Sequence, residues 1–247
     1  MNPSTDLTIV TTVTSGYAKF LPEWAASLAA LKSPAAVGII LGNGLGKRGR
    51  DICAAVENPK GATPLYYTDA AFMPCGQARN LAVGSSATRW VMHLDADDTL
   101  LPDALETIAA VGDDADVIQL GYEHWWPGNP HGYPRKRLYE ACTGLEALDA
   151  KAIASGCSPF RKSLWEQWRY PEQLEASWDY GLWLGFAHLG ARFRPTKRPV
   201  FKYRQWGGSH WRRVGQHRHE NLLALRRCLE ADFAGAQQVN LLLGAIS

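Results

Sequence analysis

From Leu7 to Trp126 the sequence alternates short β-rich runs with segments of helical spacing, and few architectures accept that order. LTIVTTVT (7–14) is rich in β-branched residues and AVGIILGNG (36–44) ends in a glycine-rich turn. PLYYTD (64–69), RWVMHLDADD (89–98) and ADVIQLGYEHWW (115–126) read as three further strands. Between them, LPEWAASLAALK (21–32) and PDALETIAAV (102–111) place proline in the first turn ahead of apolar residues at helical spacing. RDICAAVEN (50–58) and GQARNLAVGSSA (76–87) also read as helices. Strands separated by helices predict an α/β fold, a mostly parallel sheet with helices on both faces.

After residue 127 the alternation weakens. WPGNPHGYPRKR (126–137) is a loop rich in proline and glycine, and TGLEALDAKAIASG (143–156) and SWDYGLWLGFAHLG (177–190) are expected to be helices. RFRPTKRPVFKYR (192–204) is expected to be a strand or hairpin, and HENLLALRRCLEADFAGA (219–236) an amphipathic helix. At 247 residues and 46% hydrophobic content, the chain can bury a substantial core as one large domain with a C-terminal elaboration. No run approaches the roughly 20 apolar residues of a membrane span, and MNPSTDLTIV lacks the layout of a secretion signal, so a cytoplasmic protein is expected. The five cysteines are scattered, with no C-x-x-C pair, which fits ordinary reduced thiols. The net charge of +2 hides an uneven distribution: residues 1–134 hold 8 Lys/Arg against 14 Asp/Glu, and 135–227 hold 18 against 8. A basic second half suits an anionic ligand or acceptor, or is a solvated surface.

The densest chemistry lies in RWVMHLDADDTLLP, where Asp95, Asp97 and Asp98 follow an apolar run. In a parallel α/β sheet, ligands bind beyond the carboxyl ends of the strands, which is where VMHL leaves these acids. Alternation along an extended segment points Asp95 and Asp97 the same way, and three acids so close repel unless a cation or ligand compensates. Hard carboxylate oxygens suit Mg²⁺ or Mn²⁺, which keep open positions for substrate phosphates. Capping of the helix near Pro102 by Asp97, Asp98 or Thr99 accounts for one acid, not three.

LDADDT also fits the D-x-D-x-T pattern of haloacid-dehalogenase-type phosphohydrolases, with Asp95 as nucleophile and Asp97 as acid/base. Here, however, the motif follows several βα units, and no later acidic pair ends an apolar strand. A longer, ordered set of motifs resembles the inverting, nucleotide-sugar-dependent glycosyltransferases of family 2, which have the GT-A fold. LTIVTTVTSGYAKFLPEWAASL is similar to their opening strand, nucleotide loop and helix, and GQARNLAVGSSATRWVMHLDADDTLLPDAL to their G-x-x-x-A-R-N segment leading to D-x-D. SWDYGLWLGFAHLGARFRPTKRPVFKYRQWGGSH resembles their E-D-x-x-L-W helix, the next strand and a Y-R-x-x-x-G-S segment.

The resemblance implies one structural domain, with a nucleotide-sugar-binding half over 1–126 and an acceptor half with a C-terminal helix over 127–247. It places the nucleotide base near Thr12, the Gly42 to Gly44 turn and Arg79, with Asn43 standing where the family commonly has an acid. Asp95 would lie against the ribose or diphosphate, Asp97 with Asp98 would hold Mn²⁺ or Mg²⁺, and His210 would add a metal or phosphate contact. Asp179 matches the catalytic base, although Trp178 replaces the usual Glu before it. The expected donor is a UDP-sugar, or one carried on GDP or dTDP. The expected acceptor is a hydroxyl on a glycan, a lipid carrier, a protein or a modified nucleic acid. The rival from another class is a non-catalytic carbohydrate- or nucleic-acid-binding module using the basic, Trp-rich second half.

GNGLGKRGR (42–50) is not a Walker A loop, which needs four residues between Gly and Gly-Lys and then Ser or Thr. Among the ten tryptophans, Trp178, Trp206 and Trp211 are candidates for an acceptor platform, because sugar faces stack on indoles. HWRRVGQHRHE (210–220) gathers Arg212, Arg213, His217, Arg218 and His219 into a group that could grip a diphosphate or an anionic acceptor.

Overall fold

The computed structural model describes residues 6–35, 37–56, 63–127, 135–144 and 153–209. The expected C-terminal helix, the basic stretch, His210, Trp211 and most of the segment 143–156 lie outside them. Strands β1 (Leu7–Val13), β2 (Val37–Asn43), β3 (Leu65–Ala70) and β4 (Trp90–His93) form the parallel half of a ten-stranded sheet in the order β3-β2-β1-β4. The sheet continues through β9 (Phe160–Arg161), β6 (Val117–Trp125), β10 (Arg192–Arg204) and β5 (Thr99–Leu100). The two-residue strands β7 (Lys136–Arg137) and β8 (Cys142–Thr143) pair with β6 and β10. The long pairings are all parallel, as expected, but β9 runs antiparallel to both β4 and β6. A two-residue strand is too short to show period-2 alternation, so nothing in the sequence announced it.

The helices are α1 (Leu21–Ala29), α2 (Lys47–Ala54), α3 (Cys75–Gly84), α4 (Ala104–Ala109), α5 (Lys162–Gln167) and α6 (Trp178–His188). Helix α1 starts on a proline in its first turn with Glu23 beside it, a residue choice that suits the positive end of the helix dipole. Its buried Leu21, Trp24, Ala25 and Leu28 share one face at helical spacing. Alternating strand residues supply two cores. Leu7, Ile9, Ile40 and Met92 pack with Trp24, Leu28, Cys53 and Leu105 of α1, α2 and α4. Val10, Ile39, Leu41 and Val91 pack with Ala78, Val83, Trp165, Trp183 and Phe186 of α3, α5 and α6. A one-residue slip of any of these strands would exchange its two faces, so burial on both sides fixes the register.

The segment RFRPTKRPVFKYR is one strand, not a hairpin. Pro195 and Pro199 cannot donate to the ladder, and the pairing with β6 shifts register around them. The Thr196 hydroxyl repairs the gap, accepting from Gly121 N at 3.0 Å and donating to Gln119 O at 3.4 Å. Of the expected helix over 143–156, Thr143 lies in β8, Gly144 is in 3-10 conformation and residues 153–156 are not helical; the rest lies outside the described residues. Gly76, in GQARN, is a packing requirement. A Cβ there would lie 2.3 Å from Pro171 O, so only glycine lets α3 approach the 171–172 backbone.

Candidate active site

The strand expected over RWVMHLDADD ends at His93, and the acids occupy a turn closed by Asp98 N donating to Asp95 O at 3.0 Å. Trp24 Nε1 donates to Leu94 O at 3.3 Å, tying α1 to this turn. Because the backbone turns instead of staying extended, the expectation that Asp95 and Asp97 point the same way is corrected. The three carboxylates splay to different partners. Asp95 accepts from Arg79 Nη2 at 2.8 Å and keeps 36% of its side chain exposed. Asp97 Oδ2 accepts from Trp206 Nε1 at 2.8 Å. Asp98 Oδ1 accepts from Arg204 N at 2.9 Å, and Oδ2 faces the Cys157 thiol at 3.6 Å.

These acids carry the electrostatic strain their spacing suggested. Burial, then the charge of Asp95, pushes Asp97 up to about 6. Burial, then Asp97 and Asp95, raises Asp98 well above the ordinary carboxylate range. Among the described residues, the ligand atoms that converge within 4.8 Å belong to Asp95, Asp98 and Cys157; of the expected Asp97, Asp98 and His210, the last lies outside the described residues. Burial holds the Cys157 thiol protonated, so it acts as a donor to Asp98 and not as a thiolate ligand. Two hard carboxylates with a third at their side fit Mg²⁺ or Mn²⁺ better than a thiophilic metal. No sequence signal pointed to Cys157.

Arg79 joins this corner to the rest of the crevice. It is 7% exposed, and its Nε and Nη1 groups have no hydrogen-bond partner. Burial opposes its charge, but Asp95 outweighs that and raises its pKa. The guanidinium lies 5.6 Å from the Tyr170 and Trp178 ring centroids. Asp179 sits in the first turn of α6, half-buried. Burial raises its pKa, the Arg79 charge lowers it, and Asp95 raises it again, so the three groups share one electrostatic neighbourhood. The residue capping α6 is Ser177, at φ 61°, the one non-glycine with positive φ among the described residues. A left-handed serine costs about 1–2 kcal/mol. Ser177 makes no side-chain cap hydrogen bond, and the Asp179 carboxylate accepts from the first-turn backbone at Tyr180, so it faces both the helix end and the Arg79 neighbourhood.

The other expected residues are placed as follows. Thr12, near the end of β1, pairs its hydroxyl with His93 Nε2 at 3.2 Å. Asn43 closes β2 and ties its amide to a loop: Nδ2 donates to Met73 O at 3.0 Å and Oδ1 accepts from Met73 N at 2.9 Å, which leaves one N–H and one lone pair. Trp178 anchors its N–H on Leu174 O at 2.6 Å. Trp206 meets Tyr17 and Phe20 edge-on, with Lys19 Nζ 4.5 Å from its ring centroid, and so forms one wall of the acid corner. Arg204, which sequence reasoning did not single out, donates to Asp97 O at 2.8 Å and to Glu23. It also lies 4.0 Å from the centroid of Trp125.

His93 is a second missed residue, detectable as a polar side chain inside an apolar strand. Its Nδ1 is 3.3 Å from Asp95 Oδ1, yet out of line for a hydrogen bond. Burial, then the Arg79 charge, lowers its pKa to about 4. Between that value and the ordinary 6.5, the unfolded chain takes up a proton that folded His93 refuses, so stability falls as pH drops through this window. His93→Asn removes that slope. In chelator, the stability advantage of wild type over the variant is expected to shrink by about 3 kcal/mol between pH 6.5 and 4. Urea midpoints at each pH check this, and a difference that stays constant with pH refutes it.

No family model matches the chain, and no curated protein matches it. Solved structures do. The structure of S. aureus TarS 1-349 in complex with UDP-GlcNAc aligns with a TM-score of 0.73 at 16% identity, over 98% of this chain and 71% of that one. Its UDP complex gives 0.69 at 15% identity, over 98% and 70%. A longer TarS structure gives 0.68 at 16%, over 94% of this chain and 40% of that one. The likeness shows the fold, the GT-A α/β arrangement expected from the sequence. Among the described residues, no helix is long and apolar enough to cross a membrane.

Proposed function

We propose that this chain transfers a sugar from a nucleotide-diphosphate donor to an acceptor hydroxyl, with the acids at 95–98 holding a divalent cation and Asp179 acting as base. The observation that carries this reading is the convergence on Arg79. That residue bonds Asp95 at the end of the parallel strands and shares its field with Asp179 on α6. The UDP-GlcNAc and UDP complexes of the structural neighbour favour UDP over GDP or dTDP. The phosphohydrolase alternative needs Asp95 and Asp97 to face one phosphorus atom, whereas Asp97 turns to Trp206.

In this reading Arg79 and the strand ends hold the donor, while α6 presents Asp179 to the acceptor. Asp179 accepts the hydroxyl proton as the new bond to the anomeric carbon forms, and burial makes it a stronger base than a solvated carboxylate. Attack from the Asp179 side, opposite the departing diphosphate, inverts the anomeric centre. A bound Mn²⁺ or Mg²⁺ would neutralise charge developing on the leaving diphosphate. The acceptor hydroxyl is carried by a glycan, a lipid carrier, a protein or a modified nucleic acid. UDP-GlcNAc with Mn²⁺ is expected to raise the melting temperature. Donor at 100 times its Kd adds about 2.7 kcal/mol of stability. Chelator should abolish most of the shift. No shift with UDP-, GDP- or dTDP-sugars in either cation would overturn the proposal.

A further inference from the structure

Beside the crevice, at the end of β6 and β10, lies a surface whose composition neither the sheet nor the acid corner requires. Strand β7 is paired on one side only among the described residues. Arg135, Lys136, Arg137 and Leu138, in and around it, are all exposed, Leu138 at 47%. Strand β7 sets Lys136 opposite Glu123 of β6, and β10 sets Lys202 opposite the same glutamate from the other side. Residues in register share a face, as do alternate residues along a strand. Lys136, Glu123, Lys202 and Trp125 therefore lie on one face, with Leu138 in the adjoining row against Gly121. The contacts agree. Lys136 Nζ is 3.5 Å from Glu123 Oε1, Lys202 Nζ is 5.8 Å from the Trp125 ring centroid, and a Cβ on Gly121 would lie 2.5 Å from Leu138 Cδ2.

Lys202 is exposed and Trp125 is half-buried. Lys202 stands two strand spacings, about 10 Å, from Lys136, so these lysines and the two arginines act together across a Debye length of about 8–10 Å. Glu123 offsets one of the four charges. Lysine on a short edge strand guards against pairing between sheets, but that account gives no role to a leucine left in water beside it. A nucleic acid or polyphosphate would match the charge and leave Leu138 where it is. A bilayer containing anionic lipid takes the cations at its headgroups and accepts leucine and indole at the boundary beneath them.

We infer that this face docks on an anionic lipid bilayer, with Lys136, Lys202 and the two arginines on the headgroups and Leu138 reaching past them. The face runs into the crevice. Two residues beyond Lys202 on β10 is Arg204, which donates to Asp97 O at 2.8 Å and lies 4.0 Å from the Trp125 centroid. A bilayer held here brings a lipid-borne hydroxyl to the crevice, and so selects the lipid carrier among the acceptors named above. That selection rests on the transfer reading proposed above; the docking itself does not.

The test is co-sedimentation of the full chain with vesicles of phosphatidylcholine alone and of phosphatidylcholine mixed with phosphatidylglycerol, at low and high salt. Wild type is expected to bind the mixed vesicles, to release them as salt rises, and to ignore phosphatidylcholine alone. The double variant Lys136→Ala/Lys202→Ala should bind more weakly by about fivefold for each cation removed. Leu138→Ala should also weaken binding, and leave its salt dependence alone because the loss is apolar. All three side chains are exposed, so unchanged melting temperatures are expected. No binding by wild type, equal binding to phosphatidylcholine alone, or undiminished binding by the lysine double variant overturns the docking face. Displacement by soluble polyphosphate, with Leu138→Ala binding vesicles like wild type, assigns the cations to a polyanion and overturns it as well. UDP titration on the same preparations tests the donor reading separately, and the variants should leave it unchanged.

Discussion

Asp179→Asn is expected to lower sugar transfer by about two to four orders of magnitude, the usual worth of a positioned general base, while nucleotide binding is unchanged. The substitution keeps the shape of the side chain and removes its ability to accept a proton. The Asn amide oxygen keeps the acceptor that the first-turn backbone of α6 uses at Asp179, so the helix end is preserved. Single-turnover transfer and UDP titration on the same preparation separate the two effects. Loss of UDP binding together with transfer would assign Asp179 a structural role in holding Arg79, with which it shares a field. Transfer at the wild-type rate would remove it from the chemistry.

A similarly large effect is expected at Asp97, from a different cause. With its carboxyl pushed up to about 6, Asp97 must release a proton before it can serve a cation. Mn²⁺-dependent nucleotide affinity should therefore rise by about tenfold per pH unit or more below that value, and go on rising above it as Asp98, raised further, gives up its proton. Asp97→Asn should abolish the Mn²⁺ requirement and remove the Asp97 part of this slope. The fold responds with the opposite sign. A carboxyl raised in the native state favours folding at low pH, and that stability is lost as pH rises from the ordinary 3.8 through about 6. Cation binding and cation-free stability should thus move in opposite directions across this window. Parallel pH profiles of the two would show that Asp97 does not face the cation.

The first half of the fold was legible because β1, β2 and β4 are buried on both faces, β3 alternates in exposure, and the helices are buried on one. Periodicity alone therefore located β1 to β4, β6 and the helices between them, to within a few residues. The corner at Asp95–Asp98 was legible only as a cluster of acids. Nothing in LDADD says that the chain turns after His93 and sends its carboxylates to Arg79, Trp206 and Arg204. Those partners come from α3 and the end of β10, far away in sequence. Cys157 and β9 gave no signal, because a lone thiol and a two-residue strand have no pattern to detect. Nor does the sequence show that Asn43, at the end of β2, holds the loop at Met73 through both its amide atoms.

What the sequence determined by itself was the layering: alternation of apolar faces dictates a parallel sheet between two sets of helices, and hence a crevice at the strand ends with acids on its rim. What only the tertiary structure decided was which group faces which. Hydrogen bonding and charge act over a few ångströms, and the distances between Asp95, Arg79 and Asp179 are set by packing that no local pattern encodes.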